Sequence, residues 1–206
     1  MKVMLINGSM HAQGCTYTAL CEVAKALNDN GVETEIYQLS GKKVLGCTGC
    51  WACKTKKECV FDDGTVNEFV KKAQECDGFV FGSPVYYASA SGALVSFMDR
   101  VFYSGGKHLA GKPAAAVVSC RRGGATATFE VINKYFTINQ MPIVSSTYWN
   151  EVHGNTPEET LQDAEGLQTM RMLGNNMAWL LKCIELGKQA GVERKTERKI
   201  WTNFIR

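Results

Sequence analysis

Hydrophobic and polar positions along this chain switch repeatedly between two periods. Val3–Ile6 is a short apolar run stopped by Asn7-Gly8-Ser9. Between Thr16 and Asn30, the positions of Leu20, Val23, Ala24 and Leu27 predict a helix with one apolar face. Asn30-Gly31 ends it. Glu33–Leu39 alternates as a strand, and Val66–Gln74 reads as a second helix. Gly78–Gly82 is a buried strand stopped by Ser83-Pro84. Ser89–Arg100 is helical, with Leu94, Phe97, Met98 and Val101 available to a core. Ala114–Ser119 predicts a fourth strand, which Arg121-Arg122-Gly123-Gly124 breaks before a helix over Ala125–Phe136. Ile143–Tyr148 predicts the fifth strand. Thr156-Pro157-Glu158-Glu159 supplies a cap, a first-turn proline and the glutamate of a capping box. The helix it starts is expected to reach about Gly187, with a break at Gly174.

Five strands alternating with helices imply an α/β fold, a doubly wound five-stranded parallel sheet covered on both faces. The expected strand order is 2-1-3-4-5. Residues 1–190 make one domain, with a cysteine-rich loop at 44–62 inserted between the second strand and the next helix. Residues 191–206 form a basic C-terminal tail.

Composition narrows the function classes. No run of about 18 apolar residues occurs, so no membrane span is expected. The net charge is +3, and the tail's five Lys/Arg against two Glu account for that surplus. So small a basic tail reads as a solvated end, not a nucleic-acid site. Its Ile200, Trp201, Phe204 and Ile205 suit docking on a neighbouring subunit. Met1–Ser9 is too short an apolar run for an export signal. With nine cysteines, this points to a reducing, cytoplasmic setting.

Four of those cysteines crowd into thirteen residues: Cys47-Thr-Gly-Cys50-Trp-Ala-Cys53, then Cys59. Thiolates at this spacing converge on an iron–sulfur cluster or on zinc, and spare thiols are the third reading. Lys54, Lys56 and Lys57 would offset the charge of any polythiolate site without choosing the metal.

Ligands of an open parallel sheet bind beyond the carboxyl ends of its strands. Three strand ends here carry suitable residues. Asn7 to Thr16 leads into the first helix, where backbone N–H groups and the hydroxyls of Ser9 and Thr16 could cradle a phosphate. The loop lacks the lysine of a P-loop and the G-x-G-x-x-G of a dinucleotide fingerprint. Ser83-Pro84-Val85-Tyr86-Tyr87 could build a flat apolar wall for an aromatic ring system. Ser119-Cys120-Arg121-Arg122-Gly123-Gly124 allows close backbone approach and offers arginine to an anionic ring carbonyl. Read singly, each loop could be only a turn.

Together, the Gly8-Ser9 to Thr16 loop, Ser83-Pro84-Val85-Tyr86 ahead of Ser91-Gly92 and Phe97-Met98-Asp99-Arg100, and the cysteine run followed by Asp62-Asp63 resemble the flavodoxin-like NAD(P)H-dependent FMN reductase family. More narrowly, they resemble its iron–sulfur flavoprotein branch. The resemblance spans roughly Lys2 to His153. It implies FMN with its phosphate on Ser9, Gly14, Cys15 and Thr16, beside His11 and Tyr17. Its ring would lie against Ser83, Pro84, Val85, Tyr86 and Tyr87, with the pyrimidine edge at Ser119, Arg121, Arg122, Gly123 and Gly124. The family loop often reads Gly-Ser-Pro-Arg with Asn before the Thr; Met10, His11 and Cys15 stand in those places here.

The resemblance further implies a 4Fe–4S cluster on Cys47, Cys50, Cys53 and Cys59. Hydride would pass from NAD(P)H to FMN, and electrons onward to a flavin, a quinone or a redox protein. No side chain need act as nucleophile or base. A homodimer or homotetramer is implied as well, with Phe102, Tyr103, Tyr148 and Trp149 available to the contact or to the core. Two rival readings are a flavodoxin-type carrier without nicotinamide oxidation and a zinc-stapled module without catalysis. The net basic charge and the loop arginines favour two-electron reduction over the carrier.

Overall fold

The computed structural model describes residues 1–61, 64–202 and 204. Asp62, Asp63 and Ile205, named above, lie outside them. Five parallel strands form the sheet: β1 (Lys2–Asn7), β2 (Glu33–Gln38), β3 (Gly78–Tyr86), β5 (Ala114–Cys120) and β6 (Glu151–His153). A two-residue strand, β4 (Ser89–Ala90), turns back antiparallel onto Val85–Tyr86. The order β2-β1-β3-β5-β6 is the expected 2-1-3-4-5 arrangement of the parallel strands.

The strands lie between two apolar layers, which explains their continuous hydrophobic runs. On β1, Met4 and Ile6 face one layer while Val3 and Leu5 face the other. The first layer holds Phe79 and Phe81 of β3 against helices α3 (Val66–Ala73), α4 (Gly92–Gly105) and α5 (Ala125–Ile138). Phe69 sits at its centre, with its ring centroid 5.0 Å from that of Phe97. The second layer packs Val80 and Val117 against α1 (Cys15–Asp29) and α7 (Ala164–Gln189). The cysteine insertion lies between β2 and α3 and contains one short helix, α2 (Ala52–Lys56).

Three expectations need correction. The last strand is not Ile143–Tyr148. Ala114 pairs with Ile143 in an isolated bridge, and the ladder resumes only where Val118 pairs with Glu151. Residues between the two pairings loop out. Ser146 holds that loop by donating from its hydroxyl to the Asn150 side chain at 2.7 Å or to the Tyr148 carbonyl at 2.8 Å. Tyr148 and Trp149, read as strand or its end, are exposed there.

The helix beginning at Thr156 is also shorter than expected. Half of its capping box forms: Thr156 Oγ1 accepts from the Glu159 N–H at 3.3 Å, while the Glu159 carboxylate accepts from the Asn155 N–H at 2.7 Å, one residue before the cap. The turn α6 (Pro157–Thr160) then ends, and Asp163 caps α7 afresh by accepting from the Gly166 N–H at 2.9 Å. Gly174 does not break α7. A Cβ there would meet Ala26 Cβ at 2.7 Å and the Val23 carbonyl at 2.8 Å. The residue lets α1 and α7 approach closely.

Finally, the third predicted helix starts at Gly92, not Ser89, and extends to Gly105. Ser89 and Ala90 are taken by the hairpin, which turns through Tyr87 at φ 62°.

Candidate functional site

A cavity of about 620 Å³ opens at the carboxyl ends of β1, β3, β5 and β6. Its first wall follows β1. Buried Asn7 shapes it: the side-chain oxygen accepts from the Ser9 N–H at 3.1 Å, while its amide donates to Gln38 Oε1 at 2.8 Å and the Ala12 carbonyl at 3.2 Å. Gly8 donates to the Gly82 carbonyl at 2.8 Å, tying the loop to β3. Ser9 Oγ accepts from the His11 N–H at 3.1 Å and lies 3.4 Å from the Tyr86 hydroxyl. Gly14 is the N-cap of α1, and no side chain caps that helix. A helix start without a cap presents free N–H groups and the positive end of the dipole. Ser9, His11, Gly14, Cys15 and Thr16 all line the cavity.

Pro84, Val85 and Tyr86 form the second wall. Ser83 does not line it; its buried hydroxyl lies 3.0 Å from the Ser91 N–H, from which it accepts, and 2.8 Å from the Pro84 carbonyl. Tyr87 stands on the hairpin turn, fully exposed and outside the lining.

The third wall is Ser119, Cys120 and Arg121; Arg122, Gly123 and Gly124 lie outside it. Gly124 nonetheless shapes the site. It caps α5 at φ +91°, and a Cβ there would come 2.7 Å from Val85 Cγ1, so only glycine lets this loop close on the second wall. Tyr17 points along α1 to Cys21, whose hydrogen bond raises the tyrosine pKa.

A fourth wall was not foreseen. Gly154, Asn155, Thr156 and Pro157 follow β6 and line the cavity with Ala12, Gln13 and Cys120. Gly154 donates to the Cys120 carbonyl at 3.2 Å and accepts from the Cys15 thiol at 3.7 Å. The sequence signal was the capping box at Thr156, which marks a strand-to-helix junction like those after β1 and β5. The misplaced last strand hid it. Beside this wall the Cys120 thiol lies 3.5 Å from His153 Nδ1, and burial pushes its pKa up.

Among the described residues no Asp or Glu lines this cavity, whereas His11 and Arg121 do. The arrangement suits an anion at the α1 start and an aromatic body on the apolar wall.

The four clustered cysteines share a second, much smaller hollow of about 20 Å³ with Trp51, Phe61, Arg100 and Tyr103. Left-handed turns at Gly49, Trp51 and Lys57 fold the loop around it. Cys47 and Cys50 are exposed; Cys53 and Cys59 are half-buried. Among the described residues no three His, Cys, Asp or Glu side chains are gathered into a metal-binding group. The thiols line one hollow without converging. Lys54 lies 3.9 Å over the Trp51 ring, so it is spent on packing as well as charge.

In solved structures the sheet and its covering helices recur as a flavodoxin-like fold. A flavodoxin from the domain Archaea superposes with a TM-score of 0.62 at 15% identity, covering 88% of this chain and 99% of that one. RosB, solved with a bound 8-demethyl-8-formylriboflavin-5'-phosphate intermediate, gives a TM-score of 0.70 at 12% identity over 100% of this chain and 92% of that one. The family profile of NADPH-dependent FMN reductase matches residues 1–156, and the chain belongs to that family. An iron-sulfur flavoprotein of Methanocaldococcus jannaschii is 34% identical over 196 residues, covering 90% of this chain and all of that one. No described helix is long and apolar enough to cross a membrane.

Proposed function

We propose that this chain is an oxidoreductase that binds FMN in the large cavity and draws electrons from NAD(P)H. It passes them to a small acceptor, such as a flavin, a quinone or a redox protein, and carries a 4Fe–4S cluster on Cys47, Cys50, Cys53 and Cys59. The observation that carries the reading is the uncapped start of α1 opening into a cavity that, among the described residues, no carboxylate lines. That composition favours an anionic nucleotide. It also favours a ring that can accept two electrons over a one-electron carrier, which needs acidic surroundings.

FMN, when bound, supplies hydride chemistry with a nicotinamide and electron delivery to an acceptor. The protein's part is to bind and orient. Backbone N–H groups from Gly14 to Thr16 hold the phosphate, with His11 beside them. Pro84, Val85 and Tyr86 support one ring face and exclude water from it. Arg121 stabilises anionic charge at the pyrimidine edge. The cysteine loop supplies four soft sulfur donors, the set a 4Fe–4S cluster takes. Residues 1–190 form the FMN-binding domain, and residues 191–206 are its appended tail. The active form is a homodimer or homotetramer. Tyr103, Tyr148 and Trp149 stay exposed for that contact, while Phe102 is packed inward against Phe81 and Tyr135.

Anaerobic purification tests the whole reading. A flavin spectrum, four irons per chain and oxidation of NADH or NADPH with a flavin or quinone acceptor are expected. Failure of the apoprotein to take up added FMN would overturn it. Uptake of FMN without nicotinamide oxidation would reduce it to a carrier.

A further inference from the structure

Arg100 is 1% exposed, the largest fully buried side chain of the described residues. It sits on α4, which also supplies Leu94, Phe97, Met98 and Val101 to the core. Its guanidinium points away from that core into the cysteine loop. Nε donates to Cys59 Sγ at 3.3 Å, one terminal nitrogen donates to the Leu45 carbonyl at 3.3 Å, and the other to the Phe61 carbonyl. Tyr103 and Ser104, three and four residues on along the same helix face, line the cysteine hollow beside it. The Tyr103 carbonyl accepts from the Cys53 thiol at 3.7 Å.

Burying a guanidinium costs several kcal/mol unless its donors are well used. Two of these donors grip the backbone at both ends of the cysteine segment, which orders the loop. The third is aimed at sulfur. A neutral thiol is a weak acceptor. A thiolate, free or bound to metal, is a strong one for a charged donor. The geometry suits a Cys59 sulfur that is bound to metal.

We propose that Arg100 is the positioning residue of the cysteine site: it anchors the loop through the Leu45 and Phe61 carbonyls and holds the Cys59 sulfur, through Nε, in place to ligate a metal. This rests on the reading of the four cysteines as a cluster site. With the cluster bound, the Nε–H donated to a ligand sulfur favours the more negative, reduced state and raises the midpoint potential.

The test compares the wild type with Arg100→Gln and Arg100→Lys. Circular dichroism and thermal unfolding establish that each is folded. The first readout is titration of the metal-free protein with Co(II) alone, followed by sulfur-to-cobalt charge-transfer absorption. Arg100→Gln is expected to bind Co(II) about tenfold more weakly, with an altered band. Arg100→Lys, which keeps the charge but lacks the planar fork, is expected to recover part of the loss. A second readout is the cluster potential after reconstitution, which falls in Arg100→Gln. Should Arg100→Gln not fold, Arg100→Lys carries both measurements. Wild-type Co(II) affinity, spectrum and potential in a folded variant would overturn the proposal.

Hydrogen exchange across residues 45–61 of the metal-free proteins separates the two layers of the argument. If the wild type binds neither Co(II) nor iron, the cluster reading fails. Faster exchange in the folded variants would then leave loop anchoring standing, and unchanged exchange would sink it too.

Discussion

Thr16 Oγ1 and Ser119 Oγ lie 2.8 Å apart, both buried, and join the first turn of α1 to the end of β5. The two hydroxyls were expected to serve the ligand separately. They hydrogen-bond to one another and tie the α1 wall of the cavity to the β5 wall.

Deleting one partner leaves the other hydroxyl buried and unpaired. Ser119→Ala and Thr16→Val are each expected to cost about 1–3 kcal/mol of stability. The double variant should cost clearly less than the sum of the two. Urea denaturation of the four proteins measures the coupling, and strict additivity would show that the pair carries no energy of its own.

Gly8 has no room for a side chain. A Cβ would stand 2.7 Å from the Gly82 carbonyl and 2.8 Å from Leu94 Cβ. Gly8→Ala is expected to lose about 1–3 kcal/mol by overpacking and to loosen the loop that carries Ser9. At Gly92, nothing lies within 4 Å of a built Cβ. Gly92→Ala should therefore be neutral or stabilising by up to about 1 kcal/mol. Thermal unfolding of both variants checks the contrast.

Arg121 lines the large cavity and Arg122 does not. Arg121→Ala is expected to weaken FMN binding about fivefold, close to 1 kcal/mol. Arg122→Ala should change it less than about twofold, as for a solvated charge. Fluorescence titration of the apoproteins with FMN decides, and equal effects would move the pyrimidine edge off this loop.

Glu35 on β2 accepts from Lys72 at 2.6 Å and pairs with Lys2 at 2.8 Å. Hydrogen bonds from Lys2 and then Lys72 hold its carboxyl below its ordinary value of 4.5. A carboxyl depressed in the folded state contributes stability that is complete above that value. The contribution is lost as pH falls through the folded-state value beneath it. The melting-temperature advantage of wild type over Glu35→Gln should therefore be full at about pH 7 and shrink toward about pH 3. A pH-independent difference would mean that the ion pairs do not act through Glu35.

Much of the site was legible because three of its walls are strand ends with local turn signals. Ser9 to Thr16, Pro84 to Tyr86, and Ser119 with Arg121 stand where their turns placed them. Ser83, Tyr87, Arg122, Gly123 and Gly124 share those turns but lie outside the lining. Sequence proximity says which loop a residue is on, not which way its backbone turns it. Gly174 shows this well: read locally as a break, it lets α7 reach α1, while Gly124, whose turn allowed a close approach, makes that approach to Val85 and not to the cavity.

From sequence alone came the alternation of periods, hence five parallel strands, for which 2-1-3-4-5 is the default order, and the gathering of four thiols in one insertion. Those follow from side-chain periodicity and chain breakers, which act over a few residues. Tertiary structure alone decided that β6 pairs at Glu151–His153 after a looped-out stretch, so that Gly154 to Pro157 complete the cavity. It also decided that Arg100 turns from the core to Cys59. Register across an edge strand and the direction of a buried cation depend on partners 33 and 41 residues away, and no local pattern encodes them.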